Sequence, residues 1–179
     1  MTRDMIFAPE YAVEEILWSH PKALLIRARS ASRLGPVLLK SARDAGDPAA
    51  EASWKREYDL ISELWDHGGG SKPGLENLNG LFVLVLPDTG AEPLSRHERL
   101  AFAKPAEFLA VASELCAQLD RLHQKKTLHL FIAPDNILVN RANLKALLIG
   151  FQHASPFFRK ARGVFDPQRR DRARRRLGP

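Results

Sequence analysis

An internal disulfide framework is excluded from the outset, because Cys116 is the only cysteine in 179 residues. A lone thiol suits a reducing compartment, and its place within a helical pattern predicts a buried structural group rather than a nucleophile. Long apolar runs are missing as well. No stretch approaches the ~18 residues of a membrane-spanning helix. Met1-Thr2-Arg3-Asp4 is followed by no apolar signal-peptide core, so a cytoplasmic location without a membrane span is expected. Aromatic residues are absent from Gln168 to Pro179, which leaves base stacking on nucleic acid unsupported there. Wholesale disorder is excluded too: 45% hydrophobic and 27% charged residues fit a folded globular chain.

What is present is distributed unevenly. The net charge is +6, yet nine basic residues between Arg159 and Arg176 face only Asp166 and Asp171. The tail therefore carries +7 and the body −1. Salt-sensitive, sequence-blind nucleic-acid binding is one reading of such a tail. A solvated, disordered segment over 156–179 is the preferred one, so nucleic acid is not the expected partner.

Along the body, Glu14 to Trp18 and Ala23 to Ala28 read as strands around a turn at Ser19-His20-Pro21-Lys22. Val37 to Lys40 reads as a third strand after Gly35-Pro36, and Ala45 to Ala49 as a loop. A helix is predicted from about Ala50 to Trp65, with Trp54, Tyr58, Ile61 and Trp65 forming one apolar stripe, ended by Gly68-Gly69-Gly70. The continuous run Leu81 to Leu86 predicts a strand buried on both faces. A second helix is predicted from Pro105 to about His123, with Phe108, Val111, Ala112, Leu115, Leu119 and Leu122 on one face. Ile137 to Asn140 and Ala146 to Ile149 read as two short strands.

The most informative stretch is His129-Leu130-Phe131-Ile132-Ala133-Pro134-Asp135-Asn136. A protein-kinase catalytic loop reads H-R-D-x-x-x-x-N, where the Asp takes the proton of the attacking hydroxyl and the Asn holds Mg²⁺. His129 and Asn136 keep that spacing, but Phe131 stands at the Asp, and a phenyl ring accepts no proton. One strand later the metal-binding D-F-G motif is matched by Gly150-Phe151-Gln152, in which Gly150 offers no ligand and Gln152 is a poor substitute for a carboxylate. Lys40 ends the third strand, and Glu57 falls inside the apolar arc of the next helix. In the kinase pattern a Lys and a Glu at these two places form a pair, and an unpaired carboxylate inside the arc is costly, so the likeness to that pattern implies a Lys40–Glu57 pair.

Over residues 12–155 the chain resembles the protein-kinase fold of serine/threonine type. It looks most like the degenerate kinase-like domains at the N-terminus of bacterial multidomain sensor histidine kinases. The resemblance implies an α+β fold. It places a five-stranded antiparallel small lobe with one helix over 1–87 and a truncated, mainly helical large lobe over 88–155. It assigns nucleotide contact to Lys40 and Glu57. It leaves no catalytic residue in the degenerate loop of His129, Phe131 and Asn136, and no metal site, with Asn136 the sole family ligand if a metal binds. The turn at Ser19–Ala23 lacks the glycines of a phosphate-covering loop, although Lys22 could meet a phosphate as a point charge.

The expected function is that of a pseudokinase, a non-catalytic scaffold or regulatory input in signal transduction. It requires no cofactor, allows weak ATP contact and speaks against Mg²⁺. Its partners would be proteins or further domains of a longer signalling chain. The alternatives are an active kinase using Asp135 and Asn136, and nucleic-acid binding through the tail.

Overall fold

The computed structural model describes residues 10–21, 23–33, 35–43, 48–65, 72–96 and 104–157. Lys22, the glycines 68–70 and the basic tail from Arg159 lie outside the described residues. Three strands come first: β1 (Tyr11–His20), β2 (Ala23–Ser30) and β3 (Pro36–Ala42). Helix α1 (Pro48–Leu64) follows, then β4 (Gly74–Leu78) and β5 (Leu81–Pro87). These five strands form one antiparallel sheet in the order β1-β2-β3-β5-β4. The chain continues through β6 (Glu92–Pro93), α2 (Pro105–Gln124), β7 (Thr127–Leu128), β8 (Ile137–Asn140), β9 (Lys145–Leu148) and β10 (Ser155–Pro156). Strands β6, β8 and β9 make a second sheet, and β10 pairs with β7. The fold is α+β, with a five-stranded antiparallel sheet and two α-helices among the described residues. No described helix is long and apolar enough to cross a membrane.

Strand β5 is buried on both faces, as its unbroken apolar run requires. Val83 and Val85 pack with Leu24, Ile26, Val37 and Leu39 on one side. Leu84 and Leu86 join Leu25, Leu38, Trp54 and Ile61 on the side covered by α1. Strand β4 was not expected from residue patterning, because Gly74, Glu76 and Asn77 break any apolar alternation. The connecting turn makes it a strand. Asn79 and Gly80 both take left-handed backbone angles (φ 53° and 83°). This is the requirement of a tight two-residue hairpin, and Asn-Gly is the pair that meets it most readily. As an edge strand, β4 tolerates its polar composition.

Helix α2 departs from expectation at two positions. Phe108, assigned to the apolar face, is 55% exposed. The helix is ~30 Å long, whereas β9, the strand it packs on most, spans only ~13 Å, so that strand does not reach along the whole helix. Cys116 is exposed rather than buried. The buried arc passes through Val111, Gln118 and Leu122, and at ~100° per residue Cys116 points ~160° away from Gln118. Gln118 itself went unnoticed in the sequence. Its amide donates to the Ala146 carbonyl at 2.8 Å and accepts the Leu148 N–H at 2.9 Å, tying α2 to the backbone of β9. The boundary drawn at residue 155 falls inside β10, and the Phe157 N–H donates to the Lys126 carbonyl at 2.7 Å.

The boundary near residue 88 is clamped rather than loose. Arg27 on β2 reaches the nearly inaccessible Asp88 carboxylate at 2.6 Å, Glu15 at 2.9 Å and the Ala91 carbonyl at 3.2 Å. The five-stranded sheet thus grips the start of the second half of the chain with charge-assisted hydrogen bonds.

Candidate functional site

The two-residue period of β3 puts Leu38, Lys40 and Ala42 on the face toward α1. The helical period of α1 puts Glu57 in line with Trp54 and Ile61. The two charged side chains therefore meet inside the core, where Lys40 is 3% exposed and Glu57 is fully buried. The Lys40 ammonium donates to both Glu57 oxygens, at 2.6 and 2.8 Å.

A 3₁₀ turn over Phe151–His153 closes the site from the second half of the chain. Its Gln152 carboxamide oxygen accepts a hydrogen bond from Lys40 Nζ at 3.0 Å. An ammonium has three N–H donors, and here each has an acceptor. The Gly150 N–H donates to Glu57 Oε1 at 2.7 Å, so the carboxylate also ties α1 to the segment before the turn. The Trp54 ring lies 5.2 Å from Lys40 Nζ and adds a cation–π contact. The resemblance to the kinase pattern paired Lys40 with Glu57, and the desolvation cost of a lone buried carboxylate supported that pairing. Neither gave a sign that Gln152 would supply the third acceptor, because 112 positions separate it from Lys40.

Gly150 is left-handed, with φ +88°. A Cβ placed there would overlap the side-chain carboxamide of Asn136. Asn136 is buried, donates through Nδ2 to the Phe131 carbonyl at 2.9 Å, and accepts the Ile149 N–H on its own carbonyl at 2.9 Å. Its side chain thus fills the space that any side chain at position 150 would need.

The loop from His129 to Asn136 turns on Leu130, which is left-handed (φ 60°) and 61% exposed. That turn buries His129 and leaves Phe131 and Ile132 exposed. The Phe131 ring stands edge-on to His153 at 4.9 Å. Asp135 lies half-buried in a 3₁₀ turn over Pro134–Asn136. Among the described residues no group of three or more His, Cys, Asp or Glu side chains converges as a metal site would require.

His129 acts on the fold. Its Nε2 donates to the Ile149 carbonyl at 3.0 Å, its Nδ1 accepts the Phe131 N–H at 3.2 Å, and its ring packs at 4.6 Å on Phe151. An imidazole that donates on one nitrogen and accepts on the other is neutral. Burial pushes the His129 value below the usual 6.5, against the opposing pull of the Ile149 carbonyl. The unfolded chain therefore takes up a proton on this residue at a higher pH than the folded one. The stabilisation by neutral His129 is complete above pH ~6.5 and is lost as pH falls below it toward the lowered folded value. Urea denaturation between pH 5 and 7.5 should show this fall, and His129→Gln should flatten it. Identical pH profiles for the two proteins would remove His129 as the cause.

The structure thus brings Lys40, Glu57, Gly150 and Gln152 into one buried network, with Asn136 and His129 packed behind it. A scan against protein-family models finds no match to this chain, and a search of curated proteins finds no relative of it.

Proposed function

We propose that this chain is a non-catalytic, kinase-like module that serves as a scaffold or regulatory input within a longer signalling protein. The observation that carries the reading is the closure of the Gly150 position. The kinase pattern needs a metal-holding carboxylate there. Here the backbone is left-handed and the Asn136 amide occupies the space. The loss is thus built into the packing around it and does not end at one missing side chain.

Three further features support it. Phe131, at the place of the catalytic base, is an exposed ring with no proton-accepting atom. Asn136, the one remaining family metal ligand, has no carboxylate at position 150 to share a cation with, and one carboxamide oxygen does not hold Mg²⁺ alone. Lys40, which in that pattern pairs the α- and β-phosphates, has its three donors taken by Glu57 and Gln152. General-base catalysis is worth ~10²–10⁴-fold, and metal neutralisation adds several kcal/mol, so losing both leaves phosphoryl transfer negligible. What survives is the framework: a Lys–Glu pair joining β3 to α1, and a buried His129 joining the loop to the strand segment after β9.

The test is a thermal melt and a γ-phosphate transfer assay, each run with and without ATP and Mg²⁺. A cooperative transition unmoved by Mg²⁺-ATP, with no label transferred to protein or water, is the expected result. Transfer that disappears in Asn136→Ala, or a melt raised by ATP only when Mg²⁺ is present, would overturn the reading.

A further inference from the structure

We infer that Gln152 is the residue that decides whether the Lys40–Glu57 centre admits an oxyanion, and that in this chain it keeps the centre closed. The inference deepens the non-catalytic reading and rests on it. An anion can be held by an ammonium only through a donor that is free or that exchanges at low cost. Two of the Lys40 donors go to Glu57, which is fully buried and also accepts the Gly150 N–H. Exchanging either would strand a buried carboxylate, so those two are fixed. The third donor goes to Gln152 Oε1 at 3.0 Å.

Gln152 is also the one acceptor of the centre that reaches solvent. Lys40 and Glu57 are buried, whereas Gln152 is half-buried on a short 3₁₀ turn. Of the two side chains that hold the ammonium, Gln152 is therefore the one whose displacement leaves no buried charge behind. A carboxamide is a neutral acceptor, so it satisfies the donor without disturbing the charge balance of the Lys40–Glu57 pair. Its chain is anchored behind: the Gln152 carbonyl lies at 3.5 Å from Ser53 Oγ, and Gly150 is held by Glu57. The plug therefore sits on a supported turn.

Truncation to alanine would remove Cγ, Cδ, Oε1 and Nε2, a group about the size of an oxyanion. It would leave one charged donor of Lys40 without its acceptor. The ligand class is a phosphate oxyanion, either free or carried by a nucleotide.

Isothermal titration of the whole chain tests this, using inorganic phosphate and, separately, metal-free ADP, in matched ionic strength. The wild type should show no measurable binding of either, and Gln152→Ala should bind with a Kd at least about tenfold below the wild-type detection limit, the step that one recovered hydrogen bond of ~1.4 kcal/mol supplies. A response to phosphate alone identifies a free oxyanion site, and a response only to ADP identifies a nucleotide phosphate. The gain should vanish when Lys40→Met and Glu57→Gln are added together, which removes the ammonium yet keeps an acceptor for the Gly150 N–H. No gain in Gln152→Ala, or a gain that survives loss of the ammonium, would overturn the inference and leave the non-catalytic reading standing. Mg²⁺-dependent transfer by the wild type would instead overturn that reading. Gln152→Ser, which shortens the side chain but keeps a polar group, replaces the alanine variant if the latter melts without cooperativity.

Discussion

Lys40→Met is expected to destabilise the protein by roughly 3–5 kcal/mol, the range for removing one partner of a buried ion pair. The cause is the group left behind. Glu57 is fully inaccessible, and with the ammonium gone the Gly150 N–H is the one hydrogen-bond donor left to its carboxylate among the described residues. Methionine fills most of the lysine volume, so the loss reports the stranded charge and not a cavity. Adding Glu57→Gln should recover much of it, because the amide oxygen still accepts from Gly150 and no charge remains to bury. Urea unfolding of the two variants and the wild type measures both steps. A loss below ~1 kcal/mol for Lys40→Met would place the pair in the range of solvated surface bridges and contradict the buried geometry.

The second large effect is expected at Gly150. Alanine there must adopt the left-handed backbone region, at a cost of ~1–2 kcal/mol for a residue with a Cβ. It must also displace the Asn136 carboxamide, and overpacking of this kind costs ~1–3 kcal/mol. The two contributions are separable. In a double-mutant cycle with Asn136→Ala, the steric part should couple strongly and disappear, while the backbone part should persist. Simple additivity would show that the two side chains do not compete for space. Gly150→Asp should be at least as destabilising and should not create Mg²⁺ binding, because the carboxylate has no room beside Asn136. A functional metal site gained by that one change would count directly against the proposed function.

Legibility in the sequence followed the range of the interactions. The stripe of Trp54, Tyr58, Ile61 and Trp65 and the doubly buried run of β5 depend on periods within one element, and the structure places them as read. The Lys40–Glu57 pairing was legible because the resemblance to the kinase pattern pairs those two positions and a carboxylate inside an apolar arc needs a charge beside it. What was missed was set by partners distant in sequence or by cover of limited length. Strand β4 escaped because its residues look turn-like, although the Asn79-Gly80 pair was the usable sign. Cys116 lies on the side of α2 opposite Gln118, off the buried face. Phe108 lies on the apolar stripe, and periodicity shows that a helix has such a face. It does not show how far along the helix the covering strands reach.

The sequence by itself determined that this is an α+β chain with strands before and after its first helix. It also determined that the loop at His129 has no base at Phe131 and no carboxylate at Gly150, since a missing functional group needs no coordinates to be missing. Only the tertiary structure decided what replaced them. It set the Gln152 oxygen against the last donor of Lys40 and folded the Asn136 amide over Gly150. Both contacts join segments that meet only when the 3₁₀ turn docks on α1 and β8 runs beside β9, and no local pattern of residues encodes such a meeting.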